Sequence, residues 1–326
     1  STLAERMHSR RSLLKGAMLS AAALAATSPL ALMAAAGRAQ AGAHANSRFK
    51  FKEILHGVDE THHVADGYAA DILIRWGDPV LPGAPEFDPM NQSAAAQEKQ
   101  FGYNNDFVGF VPLPLGATDS ERGLLCVNHE YTSEEVMFPG LGRQDKDGFP
   151  RVTRELVETE MAAHGGSVVE IRRGSNGKWT PLANSKYNRR ISARSTEMEI
   201  TGPAAGHRRM QTHADKSGKR VIGTINNCAG GITPLGTYLM AEENFNGYFW
   251  GKDAVAGHPE EANLKRYGAP GEWYAWGKFI DRYDISKEPH EPNRFGWVVE
   301  VDPMDPASMP KKRTALGRFK HEGAES

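Results

Sequence analysis

The sequence has almost no cysteine, with 2 among its 326 residues, and this excludes a disulfide-rich scaffold. It also has no excess of positive charge, since 39 Lys and Arg oppose 40 Asp and Glu. This balance argues against nucleic acid as a partner. The common hydrolase and nucleotide-binding motifs are missing too, namely the Gly-x-Ser-x-Gly elbow, the Walker loop, His-Glu-x-x-His and Cys-x-x-Cys. What chemistry the chain performs must therefore come from less familiar groupings of residues.

Glycine and proline are plentiful, with 34 and 19 residues, and they favour many turns over long helices. One helix is predicted over residues 152–164, before a Gly-Gly pair. Residues 42–67 are expected to form an irregular arm, and residues 79–100 a surface loop. Short strands with loops of unequal length predict a mainly β fold whose function lies in the loops. The predicted strands are residues 71–76, 107–113, 123–130, 167–172, 178–179, 220–225, 237–240 and 295–301.

The first 41 residues have the pattern of a twin-arginine (Tat) export signal. Arg10 and Arg11 precede a stretch rich in alanine, residues 16–37, and Ala39-Gln40-Ala41 supplies a small-x-small cleavage pattern. A membrane-spanning or amphipathic helix is the alternative, and Pro29 counts against it. We therefore expect residues 1–41 to be removed, and residues 42–326 to be periplasmic or secreted without a stable membrane anchor. Because the signal is basic, the remaining chain is more acidic than the average, which favours cations as ligands.

The densest chemical candidate is Asn226-Asn227-Cys228-Ala229-Gly230-Gly231, followed by Glu242 and Glu243. A cysteine beside two glycines predicts a sharply turning backbone, and a nearby metal would deprotonate its thiol. The two glutamates repel each other unless a cation is close, although neighbouring side chains in a regular strand face opposite ways. The alternative is an inert cysteine in a glycine turn and a solvated glutamate pair.

A second candidate lies where a predicted strand meets its loop, at Asn128-His129-Glu130. Oxygen donors such as Asn128 and Glu130 suit calcium, whereas His129 suits a transition metal. The alternative is hydrogen bonding at the strand end. Cys126 is expected to pack in the core. A Cys126–Cys228 disulfide is an alternative, because disulfides can form in an exported protein. His321-Glu322, two polar residues at a strand end, is weak evidence alone.

Together, several strings resemble the PhoX-type alkaline phosphatase family of Tat-exported periplasmic enzymes. Leu235 departs from the family, which commonly carries Trp there. The matching strings span most of residues 66–323: Ile74-Arg75-Trp76-Gly77-Asp78-Pro79, Phe101-Gly102-Tyr103-Asn104-Asn105-Asp106, Val127-Asn128-His129-Glu130-Tyr131, Tyr187-Asn188-Arg189-Arg190, Gly202-Pro203-Ala204-Ala205-Gly206-His207, Asn227-Cys228-Ala229-Gly230-Gly231, Glu242-Glu243-Asn244-Phe245, Asn293-Arg294-Phe295-Gly296-Trp297 and Arg318-Phe319-Lys320-His321-Glu322-Gly323.

The resemblance implies a β-propeller with a central cluster of iron and calcium, which hydrolyses phosphomonoesters at alkaline pH and serves phosphate scavenging. By motif, Cys228 would bind iron and Glu130 would be a direct or bridging metal ligand. Glu242, Glu243 and Glu322 would complete the iron and calcium shells. Asn128, His129 and His321 would support those ligands.

Members of the family are longer than this chain, so the resemblance implies that residues 42–326 are the N-terminal part of an incomplete propeller. We expect little turnover from this chain alone. Two other functions stay open: a non-catalytic periplasmic propeller that binds calcium structurally, and a related phosphoesterase acting on diesters or phytate.

Overall fold

The computed structural model describes residues 51–118 and 120–326, in two compact units divided after Ala70. The predicted export signal, residues 1–41, lies outside the described residues. Residues 51–70 contain no helix or strand and are almost entirely exposed, so this part of the predicted irregular arm is confirmed. Among the described residues, no helix has both the length and the apolar character needed to cross a membrane.

The second unit, residues 71–326, is mainly β. Its described strands are β1 Asn105–Pro112, β2 Arg122–His129, β3 Gly165–Arg173, β4 Trp179–Pro181, β5 Arg189–Ile191, β6 Glu197–Thr201, β7 Arg220–Ile222, β8 Asn227–Ile232, β9 Tyr238–Glu242, β10 Val298–Val301 and β11 Lys311–Arg313. Its α-helices are short: α1 Ala94–Gln97, α2 Glu134–Met137, α3 Arg154–Ala163, α4 Glu261–Tyr267 and α5 Trp276–Phe279. Single 3-10 turns occur at Asp145–Asp147, Arg208–Met210, Phe245–Tyr248, Lys252–Ala254, Asp281–Tyr283, Glu291–Arg294 and Thr314–Leu316.

The first sheet is antiparallel and has the order β1-β2-β3-β4, with β5 pairing the other end of β3. Strand β2 lies inside this sheet and is buried on both faces, because apolar side chains occur at both odd and even positions along it. Leu124 and Cys126 belong to one hydrophobic cluster, whereas Leu125 and Val127 belong to another. The predicted assignment of Cys126 to the core is confirmed.

The second sheet has the order β7-β6-β11-β10-β9-β8. Its strands are antiparallel except for β6 and β11, which pair in parallel. Strands β8 to β11 therefore form a sequential four-stranded meander, as β1 to β4 do in the first sheet. The larger cluster contains side chains from both sheets, such as Val111 and Val168 from the first and Met240 and Val299 from the second. The main core thus lies between the sheets, and neither sheet closes into a barrel within the described residues.

Three local predictions are corrected by the structure. Residues 71–76 form no strand, because Arg75 and Ile72 are exposed and the chain turns at Trp76, where Asp78 Oδ2 accepts from the Arg75 backbone N–H. Residues 79–100 are more than a surface loop, since they contain α1 and bury Val80. Cys228 lies in strand β8 rather than in a glycine turn. The predicted helix is confirmed as α3, with Thr153 accepting a capping bond from Leu156 N.

Candidate metal centre

Two acidic residues meet at one end of the β1–β2 pair. Asn105 opposes His129 in the register, so the start of β1 and the end of β2 share an edge. Asp106 is the second residue of β1 and Glu130 directly follows β2. The β1 register shifts between Asn105 and Val108, and irregularities of this kind bend a strand and re-aim its side chains.

Cys228 lies in a second irregularity, in the neighbouring sheet. Asn227 opposes Glu242 and the next regular pair is Gly230 with Met240, so the register shifts around Cys228. The thiol is buried, with its Sγ 3.4 Å from Asp106 Oδ2 and 3.6 Å from Glu322 Oε1. Strand β8 therefore presents a thiol to the acidic edge of the other sheet.

Glu322 reaches this place because the segment around it packs on β8 and β9. His321 N donates to Glu242 O at 3.0 Å, and Ala229 N donates to Glu322 O at 2.8 Å. A Cβ at Gly231 would lie 2.2 Å from Ala324 O. Glycine at position 231 is thus required for the close approach of this segment to the strand.

The side chains at this point form two overlapping groups. The ligand atoms of Asp106, Glu130 and Cys228 lie within 4.8 Å of one another, and so do those of Cys228, Glu243 and Glu322. We call these five residues the Cys228 cluster. A thiol ringed by four carboxylates is a donor set that can hold more than one cation.

The acidic groups of the Cys228 cluster have too little positive charge near them. Burial, with Asp106 and Glu243 nearby, raises the pKa of Glu130 to about 7. Burial and the charge of Glu130 raise the pKa of the Cys228 thiol. Burial and Glu322 likewise raise the pKa of Glu243, against a smaller lowering by Lys320. Among the described residues, no ion pair neutralises any carboxylate of the cluster. A bound cation would reverse these shifts by favouring the charged forms.

Asn128 joins the two sheets directly beneath the cluster. It is fully buried, and its Nδ2 donates to Cys228 O at 2.6 Å. The Tyr238 hydroxyl donates in turn to Asn128 Oδ1. Asn128 therefore fixes the Cys228 backbone relative to Glu130, which lies two residues further along the chain.

His129 and His321 lie outside the two donor groups. Gly102 N donates to His129 Nε2 at 3.2 Å, so that nitrogen is an acceptor and Nδ1 donates to Asn105 Oδ1. Burial and the charge of Arg190 hold the pKa of His129 well below its usual value. The His321 ring lies near Gly317 O, 3.1 Å from Nε2. Both histidines hold neighbouring backbone in place.

Glu242 is separated from the cluster although it adjoins Glu243. Its carboxylate is fully buried, with Oε1 2.7 Å from Lys312 Nζ and 2.7 Å from the Thr224 hydroxyl. Its Oε2 accepts from the backbone N–H groups of Gly296 and Trp297 at 3.0 and 3.1 Å. Protein groups thus occupy both oxygens.

Of the residues singled out in the sequence as metal ligands, Glu130, Cys228, Glu243 and Glu322 are brought together, and Glu242 is not. Asp106 is the member that sequence reasoning missed. Its signal was its position directly before the predicted strand 107–113, since this strand precedes the one predicted to end at Glu130 and consecutive antiparallel strands bring those two ends together. Both cysteines are free thiols, so the disulfide left open by the sequence is not formed.

Fold and site together define a mainly β protein with a thiol–carboxylate centre suited to metal ions. The family model for alkaline phosphatase PhoX matches residues 49–326. The chain belongs to the PhoX alkaline phosphatase family. A solved structure of Pseudomonas fluorescens PhoX, in complex with vanadate as a transition state analogue, is similar with 45% identity and a TM-score of 0.72. The match covers 80% of this chain and 43% of that one, so the chain spans less than half the length of this relative. No curated protein matches the chain.

Proposed function

We propose that the chain carries part of the active site of a metal-dependent phosphatase that hydrolyses phosphomonoesters at alkaline pH for phosphate scavenging. The observation that carries this proposal is the Cys228 cluster, in which four carboxylates and a thiol converge with too little positive charge. The solved relative binds vanadate, a transition state analogue, which suits in-line attack on phosphorus.

The donors of the cluster fit iron and calcium. A thiolate is a soft ligand that suits iron, and carboxylate oxygens suit calcium. Cys228 and Glu130 would bind iron, whereas Asp106, Glu243 and Glu322 would complete the iron and calcium shells. We leave Glu242 out of this set because protein donors already occupy its oxygens. Bound metal ions would offset charge on the phosphoryl group and supply an oxygen nucleophile.

The chain's own residues prepare the cluster for binding. Because burial raises the pKa of the Cys228 thiol, a metal ion that binds its sulfur has to displace the thiol proton. The hydrogen bond from Asn128 to Cys228 O holds the backbone of Cys228 close to the strand end that carries Glu130.

We further propose a β-propeller that residues 42–326 leave incomplete. Two sequential four-stranded meanders, β1 to β4 and β8 to β11, support it, since propeller blades have this connectivity. On the export-signal pattern of residues 1–41 we propose Tat export to the periplasm or the medium.

The proposal is tested on the full-length protein, by elemental analysis of iron and calcium and by phosphomonoesterase assays. Cys228→Ala is expected to lose iron and to lower kcat at least about a hundredfold, because one metal ligand and its charge are gone. Cys126→Ala is the matched control, since that thiol is buried in the core away from the cluster.

Retention of full iron content and wild-type turnover in Cys228→Ala would overturn the site assignment. Calcium without iron, and no turnover in the wild type, would instead favour a calcium-binding scaffold.

A further inference from the structure

A second acidic cleft lies outside the Cys228 cluster. It has a volume of about 300 Å³ and is formed by the segment that follows Glu130, the turn before α3, and the segment before α5. Three carboxylates line it, those of Glu134, Glu135 and Asp145, together with the rings of Tyr131, Trp273 and Tyr274. The cleft therefore combines negative charge with aromatic surface.

Glu134 is the residue that points to a ligand. It is only 7% exposed, and its Oε1 is buried without a hydrogen-bond partner. Burial, with Glu135 and Asp145 nearby, raises the pKa of this carboxyl to about 7. Arg143 is the only Lys or Arg among the residues lining the cleft, and its Nε and Nη2 donate to Asp145 at 3.1 and 2.8 Å. Glu134 thus carries a negative charge at alkaline pH that no neighbouring group neutralises.

The geometry of the cleft suits a bulky cation better than a bare metal ion. Among the described residues, sets of three or more His, Cys, Asp or Glu ligand atoms within 4.8 Å of one another occur only around Cys228, and none includes a residue of this cleft. The carboxylates instead surround an open volume. A metal ion would need them to converge at its short coordination distances.

The aromatic rings supply the other half of an ammonium site. Trp273 is 51% exposed and Tyr131 is 40% exposed, so their rings are available to a ligand. Tyr274 is held by stacking on Tyr248, with ring centroids 4.6 Å apart, and its hydroxyl donates to Thr132 O at 3.3 Å. Aromatic faces beside a carboxylate recognise alkylammonium groups through cation–π attraction.

We propose that this cleft binds an alkylammonium group, with Glu134 as its counter-ion and Trp273 as its aromatic wall. The group comes either from a free amine or from the alcohol part of a phosphomonoester, and the second source rests on the proposed function. Tyr131 directly follows Glu130, and the Tyr248 hydroxyl donates to Glu130 O at 3.5 Å. The cleft and the Cys228 cluster therefore share one strand end.

Calorimetry with choline and with its neutral isostere 3,3-dimethylbutan-1-ol, on the full-length protein, tests the proposal. Choline is expected to bind and the isostere not. Glu134→Gln and Trp273→Ala should each weaken choline binding about tenfold, whereas Trp273→Phe should retain most of it. Glu197→Gln, an exposed strand residue elsewhere, is the control and should bind as the wild type does. Equal binding of the two compounds, or unchanged choline affinity in Glu134→Gln, overturns the proposal.

Turnover separates the two sources. If the amine belongs to the substrate, kcat/KM for phosphocholine relative to glycerol 3-phosphate should fall about tenfold in Glu134→Gln. If it is a free amine, that ratio stays constant in Glu134→Gln while choline binding is still weakened about tenfold. Hydrolysis of glycerol 3-phosphate by the wild type tests the proposed function separately, and choline binding needs no turnover.

Discussion

Glu242 and Glu243 are neighbours in the chain with opposite surroundings. Glu242 is fully buried and lies 2.7 Å from the ammonium group of Lys312. Glu243 is partly exposed and faces Cys228 and Glu322, and no ion pair of the described residues includes it. At the end of β9, one carboxylate is thus neutralised by a lysine and the next one in the chain is not.

Glu160 shows a third way to bury an acid. It is fully buried on α3, where its Oε1 accepts from the Thr132 hydroxyl and its Oε2 from Trp276 Nε1, at 3.0 and 3.1 Å. Burial raises its pKa to about 8. Lysine therefore compensates Glu242 and a proton compensates Glu160 below that pH, whereas the Cys228 cluster has four carboxylates and no ion pair among the described residues. This contrast supports the proposal that the cluster binds a cation.

The largest expected effect comes from removing the lysine. Lys312→Met should destabilise the protein by about 3–5 kcal/mol, because Glu242 would be left as a buried charge without its counter-ion. Chemical denaturation measures this, with the neighbouring, more exposed Lys311→Met as the control. Adding Glu242→Gln to Lys312→Met should restore part of the loss. A cost of less than about 1 kcal/mol for Lys312→Met would contradict the assigned role of the pair.

A smaller effect is expected when the proton on Glu160 is replaced. From pH 4.5, its ordinary pKa, to about 8, the folded protein holds a proton on Glu160 that the unfolded chain has released. This contribution to stability, a few kcal/mol in size, is present in full at low pH and is lost as pH rises to about 8.

Glu160→Gln should remove that dependence, since its amide can still accept from Trp276 and donate to Thr132. Unfolding free energies between pH 5 and 8.5 measure it, with the exposed Glu155→Gln on the same helix as the control. An unchanged pH slope in Glu160→Gln would show that another group carries the effect.

The smallest expected effect on stability distinguishes Glu243 from its neighbour Glu242. In the presence of a chelator, Glu243→Gln should raise stability by about 0.5 kcal/mol by relieving repulsion from Glu322. Glu242→Gln should lower stability, because Lys312 loses its partner. Thermal unfolding of both variants measures the two signs. If both substitutions destabilise the metal-free protein equally, the contrast between the two sites is wrong.

Much of the sheet framework could be predicted from the sequence. The strands ending at Glu130 and starting near Phe107 were predicted because apolar runs there are bounded by turn residues. The three-residue strands β5 and β11 were missed, since Arg189-Arg190-Ile191 and Lys311-Lys312-Arg313 have strand structure only through their partners. The strand predicted at residues 71–76 was wrong for the opposite reason, because this apolar run has no partner strand.

The site could be predicted only in part. The strand predicted from the sequence ends at Met240, whereas β9 continues to Glu242, which pairs with Asn227. That two-residue difference decides which glutamate faces the core, because side chains alternate along a strand. The shift in register around Cys228, which aims the thiol, depends on contacts between distant strands and leaves no local pattern.

Strand β11 has a consequence for the order of folding. It lies between β6 and β10 and joins them, with Lys311 opposite both Glu199 and Glu300. During synthesis, the β6–β7 pair and the β8–β10 meander are therefore separate pieces with open edges until residues 311–313 emerge. The same strand delivers Lys312, so Glu242 cannot enter the core fully compensated before then. Closure of the second sheet and neutralisation of its buried acid thus depend on the same three residues.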